Sequence, residues 1–573
     1  MRRIVTIIFA TALVAQAQWD TELAPRVLEG GQEDKLPFGE REEVDQTGVD
    51  DSAVLIGRLG TIELNGGQDG AAFQFGGDHV GDVMGRGLTV DTGELGEKLL
   101  PFLGRPLTEL GLDRLIDTVL RYYEANDRPV TDVFAPAQDL SEGSILLEII
   151  EGRVGSVGLQ SGGIFNDELL GGAVRLQQGE PLLTSELQGH LDWFNRNPFR
   201  PAALFAAPGL GEGEADIVFA FTERRPWRGR QRVYGTYENS GAEAAGANRY
   251  LAGFNWGNAF GLDHTLNYQF TAGESLEKLS AHAVSWEIPI HPWHHFVQLS
   301  GSWANISTES TSAGVKVVSE GTSLQLGGAY GIQLPRWNEF KQEISFGAEY
   351  KSSDNFLVFG GDDAHPGSVV DVVQFRTDYR ASRRLETGAL ELQASLVGGP
   401  GGLSGRNEDS DFAKFRAGAD STYLYGRAQA TWAHRLPKGW TLRTKGQLQL
   451  ASGALLPTEQ LGLGGHATVR GYEEREFLGD HGYALSAELR APALEVATGK
   501  LLPTQLQILG FVDHGRGWRD ESGEGQDASR SFTSMGIGAR AQAGSHLSVR
   551  ADLGVPLESK SGLRGHLGVT VSF

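Results

Sequence analysis

The chain has 573 residues, a formal charge of -23, a mean hydropathy of -0.25, 79 glycines and no cysteine. It is long enough for two or three domains, and a glycine share about twice the usual suits tight turns and crowded barrel walls. The lack of cysteine excludes thiol catalysis, disulfide scaffolds and cysteine metal ligands, and the acidic balance argues against nucleic acid, whose phosphates need clustered Lys and Arg.

At the start, Arg2 and Arg3 precede an apolar run from Ile4 to Val14, and Ala15-Gln16-Ala17 supplies small residues at a cleavage spacing. Residues 1–17 therefore read as a secretory signal, with export to an oxidising compartment. The apolar run is too short for a spanning helix and no stretch of eighteen or more apolar residues occurs elsewhere, so helical membrane anchoring is not expected. Residues 18–87 form a leader and a poorly placed segment. Up to about residue 52 they are polar and acidic, as in Glu40 to Asp45, while Thr61 to Leu64 and Phe73 to Phe75 alternate and suggest an added strand or two.

An internal repeat follows. Gly104-Arg105-Pro106-Leu107 leads to a helical stretch with Leu110, Leu115, Val119, Leu120 and Tyr123, then an extended piece Val130 to Pro136, a turn at Glu142-Gly143 and a strand Ile145 to Glu151. Gly179-Glu180-Pro181-Leu182 opens the same series again: a helix with Leu187, Leu191 and Phe194, an extended piece Phe199 to Ala207, a turn at Glu212-Gly213 and a strand Asp216 to Phe221. Each unit has its own preceding strand and short helix, Leu88 to Leu103 and Val154 to Leu170, which gives two α+β domains, 88–153 and 154–228. Two such domains before a barrel resemble the POTRA domains of outer-membrane transport and assembly proteins. Pro136-Ala137-Gln138-Asp139 with Gly143 and Glu151-Gly152-Arg153 is similar to the first such domain of two-partner-secretion transporters of the haemolysin-activator type. Asp192, Trp193 and Asn195 to Pro198 are similar to the second.

From Gly229 the pattern changes to period two. Tyr250, Ala252, Phe254 and Trp256 alternate with Gly253, Asn255 and Gly257. Ile344, Phe346, Ala348 and Tyr350 alternate with Glu343, Ser345 and Glu349, and Leu442, Leu448 and Leu450 with Arg443, Lys445, Gln447 and Gln449. About sixteen such segments predict a transmembrane antiparallel β-barrel over 229–573. The polar set carries full charges and must face a wet lumen, because a packed core would leave them unpaired. Trp256, Trp303 and Trp432 fall on the apolar set near segment ends, as an aromatic girdle requires. The last segment alternates Leu563, Leu567, Val569, Val571 and Phe573 with Arg564, His566, Thr570 and Ser572, a barrel-end strand finishing on aromatic Phe573 that must pair with the first.

Val469-Arg470-Gly471-Tyr472, led in by Gly464, Gly465 and His466, resembles the tip of the long loop that folds back inside the barrel in the transporter family, and Phe511-Val512-Asp513-His514-Gly515 resembles its receiving strand. Alternation puts Leu506, Ile508 and Val512 on lipid and sends Phe511 and Asp513 to the lumen; Leu485, Ala487 and Leu489 outward send Glu488 inward. A guanidinium in the lumen needs a carboxylate, and planar Arg suits a bidentate pair, so Arg470 is expected to pair with Asp513, with Glu488 nearby.

The resemblance implies a transporter, a monomer in the outer membrane with its N-terminal domains in the periplasm, that moves one large unfolded exoprotein, haemolysin-like or adhesin-like, to the cell surface. The alternatives are a barrel assembly and insertion factor on the same plan, or a passive porin. Family members often carry an N-terminal plug helix, yet Pro25, Gly30, Gly31, Pro37 and Gly39 interrupt the leader. No enzyme is expected: there is no Gly-x-Ser-x-Gly elbow and no phosphate-cradling loop. No cofactor and no metal are expected either, since His291, His294 and His295 sit beside Pro292 and Trp293 at a turn.

Overall fold

The structure is a computed structural model that describes residues 53–67, 72–76, 81–222, 231–241, 246–312, 315–337, 339–354, 356–359, 363–365, 369–497, 504–521, 527–558 and 562–573. The expected signal and most of the leader lie outside the described residues. The chain divides into two compact units, one formed by Gly30–Arg196 with Arg200–Glu223 and one by the barrel, which also takes in Asn197–Phe199.

The first unit holds two αβ domains of one plan. In the second domain, strand Arg153–Gln160 runs parallel to Glu214–Phe221, which pairs antiparallel with Ala202–Pro208; helices Asp167–Gly171 and Thr184–Phe194 complete it. The first domain repeats this with Thr61–Asn65 parallel to Ser144–Glu151, Thr131–Phe134 antiparallel to that strand, and helices Thr92–Leu99 and Glu109–Ala125. Both are POTRA-like.

The sequence reading starts the first domain too late. No strand forms at Leu88; its parallel strand is Thr61–Asn65, and a hairpin of Phe73–Phe75 with Asp82–Arg86 is inserted before the first helix, extending the sheet to five strands. Leu88 and Val90 are apolar because they pack on the core, not because they pair in a sheet. The helix then starts at Asp91, whose carboxylate accepts from the Gly93 and Glu94 amides at 2.8 and 3.4 Å.

The motifs of these domains fasten turns. Gln138 donates to the Leu146 carbonyl at 2.8 Å and accepts from the Leu146 amide at 2.6 Å, standing in for a strand neighbour. Buried Glu151 takes the Thr89 hydroxyl at 2.6 Å and the Arg128 guanidinium at 3.3 Å. Asn195 likewise bonds both the amide and the carbonyl of Ala202, at 2.7 and 3.1 Å. The core of the second domain centres on Phe194, fully buried and 5.0 Å from the rings of both Phe219 and Phe221.

The barrel closes sixteen antiparallel strands, from Gln231–Glu238 to Arg564–Ser572. Tyr234 to Glu238 pair with Ser572 to Gly568, and Val233 and Phe573 exchange both backbone hydrogen bonds at 3.0 and 2.9 Å. Closure leaves no sheet edge, which hydrocarbon would penalise group by group. Alternation holds throughout: Phe346, Leu448, Leu450, Ile508 and Val512 are exposed outward, while Asn255, Gln449 and Asp513 are buried inward. Trp303 and Trp432 are exposed on the outer face and Trp256 is half-buried there. Short turns such as 260–263 and 291–294 gather at one rim, and the long connections 401–421 and 452–480 at the other, so the short-turn rim is periplasmic. No helix among the described residues is long and apolar enough to cross a membrane. Within this unit Asn197 donates to the Gly257 carbonyl and to Asp263 at 2.5 and 2.6 Å.

Phe194→Ala would empty the centre of the second domain. We expect a loss of about 3–5 kcal/mol in its unfolding free energy, read by denaturant titration of the full chain, with the heat-resistant barrel signature unchanged.

Candidate functional site

The connection 452–480, between strands Thr441–Ala451 and His481–Arg490, contains a small hairpin of Leu461–Leu463 and Phe477–Gly479 and carries the Val469-Arg470-Gly471-Tyr472 tip. The tip meets the inner wall. Arg470 grips Asp513 with two parallel hydrogen bonds, from Nε at 2.8 Å and from Nη2 at 2.9 Å, and adds its backbone amide at 3.1 Å. Its Nη1 donates to Glu488 at 2.7 Å, and its guanidinium lies 3.5 Å from the centroid of the Phe511 ring. The four residues singled out in sequence as tip anchor and wall partners are thus brought together. Stacking on Phe511 covers the apolar face of the guanidinium while its edges make hydrogen bonds, the arrangement planar Arg permits and Lys does not.

Sequence reasoning missed the rest of the cluster. Asp552 lies 3.4 Å from Arg470 Nη1 and takes Arg540 at 2.9 Å; Arg490 binds Glu488 at 2.5 Å; Ser486 donates to Asp513 at 2.7 Å. Three guanidinium groups face three carboxylates, so the buried charge balances, the condition under which such a cluster is tolerated. Asp552, Arg540 and Arg490 occupy inward positions of their strands and could have been found by extending the alternation that placed Glu488; no motif marks them.

Val469 and Tyr472 flank this anchor with apolar contact. Val469 packs with Leu463, Phe477 and Phe532, and Tyr472 meets Phe532 edge-on at 4.9 Å while donating to the Thr533 carbonyl at 3.0 Å. Gly471 has φ 91° and donates its amide to His566 Nε2 at 3.2 Å. It sits directly on Gly554 of the wall: a Cβ on Gly554 would lie 2.6 Å from the Gly471 nitrogen. Two glycines back to back let the loop backbone touch the strand backbone.

Two further polar anchors hold the same connection nearer the surface end. Buried Glu459 takes Lys351 at 2.9 Å and the Tyr425 hydroxyl at 2.7 Å. Asp480 forms a bidentate pair with Arg416 at 2.5 and 2.6 Å, and also accepts the amides of Leu455 and Asp520 at 2.9 and 3.0 Å. Burial pushes the Asp480 carboxyl upward, but the Arg416 bonds and charge outweigh it and hold it below the ordinary carboxylate range. Arg416 follows the short helix Asp409–Phe415, whose Phe412 and Phe415 pack with Tyr423, Tyr425, Leu455 and Leu456.

Phe573 is exposed outward and stacks on His546 at 5.8 Å. Of the histidines at the short turn, His291 lies 3.3 Å from Asp263, His294 takes the left-handed position with φ 52°, and His295 bonds the Tyr330 hydroxyl at 2.5 Å. They point to separate partners, and no group of three or more metal-ligating side chains is found among the described residues.

A loop pinned by buried ions inside a closed lipid-facing barrel, in a chain that also carries POTRA-like domains, defines an outer-membrane transport protein. The family of haemolysin secretion/activation proteins ShlB/FhaC/HecB matches residues 213–541, and the chain belongs to it. It is 23% identical over 448 residues, 74% of this chain and 70% of the relative, to the outer membrane transporter CdiB-2 of Burkholderia pseudomallei. It is 24% identical over 182 residues, 30% of this chain and 32% of the relative, to the heme/hemopexin transporter protein HuxB of Haemophilus influenzae. In fold it is similar to CdiB from Escherichia coli, with a TM-score of 0.71 at 17% identity over 100% of this chain and 99% of that one, and to CdiB from Acinetobacter baumannii, at 0.62 and 16% over 98% and 99%. The protein is therefore an outer-membrane transporter of the two-partner secretion type and not an enzyme.

Gly554→Ala tests the glycine contact. The new methyl must push the tip off the wall, so we expect large antibiotics normally kept out by the barrel to enter cells carrying the variant, with its level in the membrane unchanged. Unaltered antibiotic resistance at equal level would contradict the contact.

Proposed function

We propose that this transporter carries one large, unfolded exoprotein of haemolysin-like or adhesin-like type from the periplasm to the cell surface, acting as a monomer. The observation that supports this most directly is the Arg470 cluster. The partners of Arg470 are charged groups that water can solvate once a passing chain displaces the loop. In this reading Val469 to Tyr472 form the gate tip, Asp513, Glu488 and Phe511 receive it, and Phe573 completes the barrel seam.

On the periplasmic side, strand Ala202–Pro208 ends its three-stranded sheet and exposes Phe205. An extended client could add there through main-chain hydrogen bonds that accept varied sequence. With no nucleotide-binding loop in the chain, folding of the client outside supplies the direction of movement.

Charge exchange at the cluster tests the gate. Arg470→Asp or Asp513→Arg alone leaves a buried charge uncompensated, worth about 3–5 kcal/mol, and should reduce secretion at least about tenfold. The double exchange should restore part of it. A double variant no better than the singles would contradict the pairing as a gate element. Deletion of the gene, followed by comparison of surface and culture-fluid proteins, should remove one very large protein; broad loss of other barrels would instead favour an assembly factor.

A further inference from the structure

The chain as a whole is strongly acidic, with a formal charge of -23, yet one part of the lumen wall runs against that balance. Adjacent strands Thr422–Arg435 and Thr441–Ala451 meet at the short turn 436–440, on the periplasmic rim, and send Arg435, Arg443 and Lys445 to the inner face. The outward neighbours are apolar: Trp432 and Leu448 are exposed to the exterior. The register fixes the patch, with Arg435 opposite Thr441, Arg443 opposite Ala433, and Lys445 opposite Thr431.

Among the described residues these three cations form no ion pair. Lys445 donates to the Ala467 carbonyl at 3.3 Å instead of to a carboxylate. Arg435 and Arg443 form no side-chain hydrogen bond or ion pair among the described residues. Glu488 faces Arg443 in the strand register but is taken by Arg470 and Arg490, and Asp513 is taken by Arg470. Among the described residues of the four barrel strands from Gly388–Pro400 to His481–Arg490, the remaining carboxylate is Glu391, opposite Thr431. Three cations thus stand against one free acid, inside low-dielectric walls that focus their field.

We propose that this patch is an electropositive entry for acidic polypeptide: the translocated chain carries an excess of Asp and Glu in the segment that first enters the lumen. This rests on the exoprotein reading for the identity of the cargo, but the wall potential itself does not. The patch would draw an extended acidic segment to the periplasmic mouth and repel a basic one, without demanding a fixed sequence.

The chain has no cysteine, so Gln447→Cys places a single thiol on the same inner face, two residues from Lys445. In the full-length protein reconstituted in vesicles, the thiol is reacted with a sulfonate-bearing and with a trimethylammonium-bearing methanethiosulfonate reagent. We expect the anionic reagent to be favoured about tenfold over its ratio for free cysteine at low salt. The preference should collapse near 1 M salt, where the Debye length is about 3 Å, and in the R435Q/R443Q/K445Q variant. A ratio equal to that of free cysteine, a cationic preference, or no reaction with either reagent would overturn the proposal. The salt titration needs only the Gln447→Cys protein, so it decides the matter even if the triple substitution impairs assembly. In the second arm, an unfolded Glu-rich peptide should slow labelling and a Lys-rich peptide of equal length should not; equal protection would overturn the cargo chemistry. A deletion strain that lost no secreted protein would defeat the transport reading while leaving the labelling result intact.

Discussion

A single guanidinium governs the interior of this barrel. Arg470 is carried on a loop backbone into the lumen, and it is buried there with Asp513, Glu488 and Asp552. Each charge in that set would be costly alone; together they cancel, and the desolvation each requires is met by bidentate geometry and by the face of Phe511. The loop needs Gly471 and Gly554 to approach closely enough for this, and the wall needs Arg490 and Arg540 to balance its acids. The positions of Val469 and Tyr472 follow from that anchor.

The anchor is possible only because the barrel is two-faced. Outward residues such as Ile508 and Val512 meet hydrocarbon, and the alternate residues of the same strand, Phe511 and Asp513, meet the loop. Pairing of Tyr234 to Glu238 with the final strand then removes the last unpaired edge. Lipid burial fixes the wall, and the fixed wall supplies the acids to which the loop is attached. The Glu459 and Asp480 anchors extend the same logic toward the surface end, where the loop is joined to Lys351 and Arg416.

Much of this was legible in sequence because period two is a strong signal when one face must be apolar and the other carries charge. The barrel strands, the inward direction of Glu488 and Asp513, and the order of elements in both αβ domains all come from spacing. The start of the first domain did not. Thr61–Asn65 is short, and the hairpin Phe73–Phe75 with Asp82–Arg86 separates it from its helix, so the repeat pattern points to Leu88 instead. Asp552, Arg540 and Arg490 carry no motif: Arg490 shares a strand with Glu488, Arg540 and Asp552 lie on neighbouring strands, and Arg470, 82 residues from Asp552, joins them into one cluster. Arg416 and Lys351 meet carboxylates 64 and 108 residues away, which no local pattern links. Asn197 shows the same limit, since its bond to Asp263 spans 66 residues.

The seating of the loop tip in the wall can be measured directly in the native membrane. A Cβ at Gly515 would lie 3.1 Å from Val469 Cγ2, within the reach of a disulfide between cysteines at the two positions. In the cysteine-free chain, Val469→Cys with Gly515→Cys should cross-link on mild oxidation, shift mobility on a non-reducing gel, and stop secretion until a reductant is added. Two thiols that each react with a soluble probe but do not join to each other would show that the tip lies elsewhere, and the account of the pinned loop would fail.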